Sequence, residues 1–194
     1  MLAAALLAPL IAVSPLLPAA VAQAGKIAPS SAAAGSDKLP NIAMTDQHGR
    51  AVSLQSLRGK PVLVAFIHTQ CEGPCELITS RMKQVAQALG TNFSSEVTML
   101  SVTTEPDEDG PRELLAYARA RGVNTKGWVF LTGAPSKVHR LLAAYGVLAE
   151  ENRSDHVIEV FLIAPGGRQV SAYNGVTTPP DKIAADISKI ASLR

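Results

Sequence analysis

The chain of 194 residues has only two cysteines, Cys71 and Cys75. A disulfide-stapled scaffold, which is short and cysteine-dense, is thereby excluded. Charge is also sparse: charged residues make up 18% of the chain and the net charge is +2. That balance leaves no basic footprint for nucleic acid, and no nucleic-acid partner is expected. Lys, Arg, Asp and Glu are absent from residues 1–24, so all 34 formal charges fall in the remaining 170 residues. Against these absences stands a hydrophobic content of 47%. It is too high for a disordered chain, and the length suits one globular domain with an appendage.

The charge-free start reads as that appendage. Leu2 to Ala22 are mostly Ala and Leu, and Ala20-Val21-Ala22 and Ala22-Gln23-Ala24 both fit a small-x-small cleavage pattern. Residues 1–24 are read as a signal peptide or, uncleaved, as a single-span anchor of roughly 20 residues. No positive residue precedes the apolar run, and Pro9, Pro15 and Pro18 interrupt its helix. Either reading carries the domain out of the cytoplasm, periplasmic or membrane-anchored facing the periplasm. Residues 25–38 are small, polar and aperiodic and read as a flexible linker. The domain is expected over residues 39–194.

Hydrophobic patterning gives that domain an α/β class. Ile42 to Thr45 and Arg50 to Ser53 flank a turn containing Gly49, an N-terminal β-hairpin. Pro61 to Ile67 is a continuous apolar run, as in a strand buried on both faces. A helix follows with Ile78, Met82, Val85 and Leu89 on one face. Val97 to Val102 reads as a strand. Gly110-Pro111 opens a helix with Leu114, Leu115 and Ala118 inward. Trp128 to Leu131 is a short strand, and Pro135 to Tyr145 a helix closed by Gly146. Val157 to Ile163 and Arg168 to Tyr173 form a hairpin across Pro165-Gly166-Gly167, before a last helix using Ile183, Ile187 and Ile190. This order predicts a thioredoxin-like mixed central sheet with helices on both faces.

The chemistry is concentrated at His68-Thr69-Gln70-Cys71-Glu72-Gly73-Pro74-Cys75, where a strand end meets a helix start. Two thiols at i and i+4 across this junction can converge. A helix N-terminus favours the thiolate, so one or both thiols are expected to have a lowered pKa. Such a pair serves disulfide exchange or soft-metal ligation. A structural disulfide closing so short a loop would constrain little chain. Three residues separate the cysteines, whereas a thioredoxin-type redox motif has two. A third ligand would favour metal. His48 and His139 read as solvated. His156 follows Asp155 at the mouth of a strand, and His68 is an auxiliary candidate.

Taken together, these residues resemble the Sco/SenC family of copper-binding thioredoxin-fold proteins. Asp46-Gln47-x-Gly49 with Leu57-Arg58-Gly59-Lys60 is similar to its N-terminal hairpin region. Thr69-x-Cys71-x-x-x-Cys75 is similar to its metal-binding motif, and Asp155-His156 to its histidine motif. The resemblance runs from about residue 40 to 175. It implies that Cys71, Cys75 and His156 are copper ligands, for Cu(I) or Cu(II), with Asp155 orienting His156. It also implies a copper chaperone whose partner is the binuclear copper site in the second subunit of cytochrome c oxidase. Glu72 and Glu76 stand where the family usually has proline, His68 where it often has an aromatic, and Glu105-Pro106 where Asp-Pro is typical. His68 and Glu105 are therefore expected to surround the ligands. The alternative on the same scaffold is a thiol-disulfide oxidoreductase or thiol peroxidase. It would use Cys71 and Cys75 as a redox dithiol with a thiol-disulfide reductant as partner.

Overall fold

A computed structural model of the protein describes residues 39–147 and 158–193. The expected leader and linker, and Asp155 and His156, lie outside the described residues. Among the described residues no helix is long and apolar enough to cross a membrane.

The hairpin forms as the turn chemistry requires, with β1 (Ala43–Asp46) antiparallel to β2 (Ala51–Ser53). The turn is more than a solvated link, because Asp46 and Gln47 are buried. Asp46 accepts hydrogen bonds from the backbone amides of His48 and Arg50 and pairs with the Arg50 guanidinium. Gln47 reaches across to the backbone of Phe130. A 3-10 turn (Leu54–Leu57) then leads to β3 (Val62–Ile67).

The apolar run of β3 is buried at every position. It is sandwiched in the sheet plane between parallel β4 (Thr98–Thr103) and antiparallel β6 (Glu159–Ile163). It is also covered on both faces. Leu63, Ala65 and Ile67 enter one core cluster, and Val62, Val64 and Phe66 enter another. The period of two in a strand splits a continuous apolar run between two layers.

Helix α1 (Pro74–Leu89) follows β3, and a single-turn helix α2 (Phe93–Glu96) leads into β4. Helix α3 (Pro111–Ala120) connects β4 to β5 (Trp128–Thr132), which is parallel to β4. Helix α4 (Pro135–Ala144) follows, then β6, β7 (Gln169–Asn174) and α5 (Pro180–Ala191). The seven strands run in the order β2-β1-β5-β4-β3-β6-β7. Ile78 and Met82 of α1, Leu114 and Tyr117 of α3, and Ile183 and Ile187 of α5 fill one face. Val138, Leu141 and Leu142 of α4 fill the other, with Leu54 and Ile42. The mixed sheet with helices on both faces is therefore the architecture expected.

One local expectation is corrected. Tyr117, not Leu115, joins Leu114 and Ala118 in the core; Leu115 is half-buried. At 100° per residue, positions 115 and 117 lie equally far from the midline of the 114/118 stripe, on opposite sides, and it is the Tyr117 side that packs into the core against α1.

Register sets up the site. Ile67 pairs with Thr103, so β3 and β4 end side by side and their following loops emerge together. Antiparallel β6 pairs Val160 with Ala65, so β6 begins at the edge of the sheet where β3 ends.

Candidate metal centre

The β3–α1 loop carries Cys71, and the first turn of α1 carries Cys75. The Cys71 amide donates to the His68 carbonyl at 3.1 Å, closing a tight turn directly after the strand. Gly73 caps α1 at φ +93° and ψ −93°, a conformation open to glycine and strained for other residues. Pro74 then takes a first-turn position, where a missing N–H costs nothing. This loop folds the two thiols together, and Cys71 is in hydrogen-bond contact with the Cys75 thiol. Both cysteines are reduced, without a disulfide.

One expectation about the thiols is corrected. Both are buried, Cys71 at 7% exposed and Cys75 at 5%. A lowered pKa was expected at the helix N-terminus, yet the Cys75 thiol is pushed up to about 12. Burial is the main cause, and the hydrogen bond with Cys71 adds to it. A backbone hydrogen bond from His68 and the positive charge of Arg121 act in the opposite direction without prevailing. Desolvation of a thiolate outweighs the partial charge of a helix end.

The surrounding polar groups hold the two cysteines from different sides. Asp109, fully buried in the β4–α3 loop, accepts a 3.1 Å hydrogen bond from the Thr69 amide and another from the Thr69 hydroxyl. It also accepts from the Thr103 hydroxyl at 2.6 Å. On the other side, the Tyr117 hydroxyl contacts the Cys75 carbonyl and the Thr79 hydroxyl. Arg121 lies over the Tyr117 ring, 3.7 Å from its centroid, and forms an ion pair with Glu76.

His68 and Glu105, expected around the ligands, stand in the two adjacent loops. The His68 imidazole meets the Glu108 carboxylate at 3.2 Å, and its backbone serves both cysteines. Glu105 is exposed; its amide donates to the Thr103 hydroxyl and its carbonyl accepts from the Asp109 amide. His48 and His139 are exposed, as solvated histidines should be. Sequence reasoning missed Asp109, Tyr117 and Arg121. Only the Thr69 of the T-x-C pattern pointed toward them, as a hydroxyl needing a partner.

The donor set brought together is two sulfurs. Among the described residues, no three His, Cys, Asp or Glu side chains are grouped to hold a metal. Two adjacent soft donors in a water-poor setting fit Cu(I) in kind, with room in its coordination for one further ligand.

The SCO1/SenC family model matches residues 32–192. An SCO1 protein homolog of Bacillus subtilis is 31% identical over 156 residues, covering 77% of this chain and 80% of that protein. Among solved structures, BsSco, described as a member of the Sco family of cytochrome c oxidase assembly proteins, superposes with a TM-score of 0.69 at 30% identity. That match covers 81% of this chain and 95% of BsSco. Bradyrhizobium japonicum ScoI with copper bound superposes at 0.66 with 25% identity, covering 79% of this chain and 99% of that one. With a family model spanning most of its length and the same thioredoxin-like sheet, the chain belongs to the SCO1/SenC family.

Proposed function

We propose that the protein is an extracytoplasmic copper chaperone that carries one copper ion on Cys71, Cys75 and His156. It would deliver that copper to the binuclear copper site in the second subunit of cytochrome c oxidase. The observation that carries this reading is the contact of two reduced thiols at the end of β3. The copper bound to B. japonicum ScoI and the assembly role named for BsSco support the cargo and the acceptor. The start of β6 at the same sheet edge supports His156, two residues before Ile158, as the third ligand. Asp155 would orient its ring. The charge-free residues 1–24 support export or membrane attachment.

Cu(I) is the ion such sulfurs favour, and a third, imidazole donor would also let the site hold Cu(II). Loading requires the dithiol, because a disulfide has no thiolate to offer. Since Cys75 holds its proton at neutral pH, copper must displace that proton as it binds. The same pair supports a second reading, a thiol-disulfide oxidoreductase or thiol peroxidase, because sulfurs in contact are also poised for disulfide formation.

Metal analysis of the reduced protein, wild type beside Cys71→Ala, tests the main reading. One copper per chain, lost in the variant, is expected. A wild type that retains no copper but reduces a partner disulfide would replace this reading with the second.

A further inference from the structure

The Asp109 carboxylate is 0% exposed. A buried anion is costly unless it is neutralised or well hydrogen-bonded. Here the partners are the amide and hydroxyl of Thr69 and the hydroxyl of Thr103. Thr103 in turn receives the Glu105 amide, so the polar chain is continuous from one loop to the other. Three donors converge on one carboxylate; an asparagine would lose the negative charge that strengthens these bonds, and its NH2 would turn the Thr69 hydroxyl from donor to acceptor.

The position of these contacts matters more than their number. Thr69 stands between His68 and Cys71, inside the turn closed by the Cys71 amide on the His68 carbonyl. Fixing Thr69 therefore fixes where Cys71 leaves the strand. Apolar packing of β3 stops at Ile67, and beyond it the amide and hydroxyl of Thr69 are both held by Asp109.

We propose that Asp109 is a positioning residue for the Cys71 thiol. Through Thr69 it holds Cys71 against Cys75 and thereby sets how readily the pair closes to a disulfide. This rests on the dithiol of the proposed function but not on copper as its cargo. In the reaction concerned, Cys71 and Cys75 form an S–S bond and give up two electrons and two protons. Glutathione disulfide takes them as its own S–S bond breaks, leaving two glutathione thiols. Holding the two sulfurs together raises their effective concentration and favours the closed form.

The test equilibrates the protein with reduced and oxidised glutathione at pH 7 in chelator-treated buffer, followed by acid quench and mass analysis. Wild type is compared with Asp109→Asn, Thr69→Val and Thr69→Ser. Asp109→Asn and Thr69→Val are expected to lower the equilibrium constant for disulfide formation about tenfold. Thr69→Ser keeps the hydroxyl and is expected to stay within about twofold of wild type. Wild-type constants in both Asp109→Asn and Thr69→Val, whatever their melting temperatures, would overturn the proposal. If Asp109→Asn does not fold, the contrast between Thr69→Val and Thr69→Ser decides. A wild type that fails to bind copper would remove the chaperone reading and leave these constants unchanged.

Discussion

The Tyr117 hydroxyl donates to the backbone carbonyl of Cys75 at 3.3 Å and stands 2.8 Å from the Thr79 hydroxyl. All three residues are buried. Helix α3 thus braces the first turn of α1 at the residue that carries the second thiol. Tyr117→Phe removes the hydroxyl, leaves Thr79 without that partner, and also loosens the ring on which Arg121 rests. The expected cost is about 1–3 kcal/mol, measured by urea unfolding of the reduced protein. Adding Thr79→Val to Tyr117→Phe is expected to cost less than the sum of the two single changes, because the second removes a group the first has orphaned. Strict additivity would show that the two hydroxyls do not form one unit.

Much of this arrangement was readable in the sequence. The run Val62–Ile67 announced a strand buried on both faces because every position is apolar, and it lies near the sheet centre. Cys71 and Cys75 announced a site because a strand end and a helix start can bring i and i+4 thiols together, and they meet. What stayed hidden depends on contacts distant in the chain. Asp109 sits in the run Glu105-Pro106-Asp107-Glu108-Asp109, which by composition is a solvated loop. Only the register of β4 beside β3 turns its last acid inward. Tyr117 was overlooked because Leu115 is the more obviously apolar residue and the two lie equally far from the helical stripe, so only the tertiary packing decides between them. The thiol pKa was misjudged for a similar reason: the helix end is local and legible, whereas the depth of burial is a property of the whole fold.

Gly73 tests the local part. Its φ of +93° is a region that side chains rarely adopt, and a Cβ built there meets no atom within 4 Å. The cost of Gly73→Ala is therefore one of backbone strain and not of crowding, and about 1–3 kcal/mol is expected. Denaturant unfolding gives the value. A loss near zero would mean that the loop can adopt another path between Cys71 and Cys75.

Alkaline pH tests the buried thiol. The folded Cys75 titrates at about 12, above the ordinary value of 9.0. The folded state therefore keeps a proton that the unfolded chain releases first. The stability this confers is complete below pH 9 and is lost as pH rises toward 12. Tyr117, whose pKa burial also raises, contributes in the same direction from above its ordinary 10.0. The urea midpoint of the metal-free reduced protein is expected to fall from pH 9 upward, and less steeply in Cys75→Ser. Identical slopes in the two proteins would show that Cys75 is not shielded as described.

His156 tests the proposed ligand set most directly. Cu(I) on two sulfurs alone is left linear or open to solvent ligands, and an imidazole closes a three-coordinate site. Its removal should therefore weaken copper binding. His156→Ala is expected to lower copper affinity by about tenfold or more in a competition titration with a Cu(I) chelator, while circular dichroism stays that of wild type. Asp155→Ala, which spares the imidazole and removes only its neighbour, is expected to fall between the two. Full affinity in His156→Ala would exclude the histidine as a ligand and confine the site to Cys71, Cys75 and whatever the adjoining loops supply.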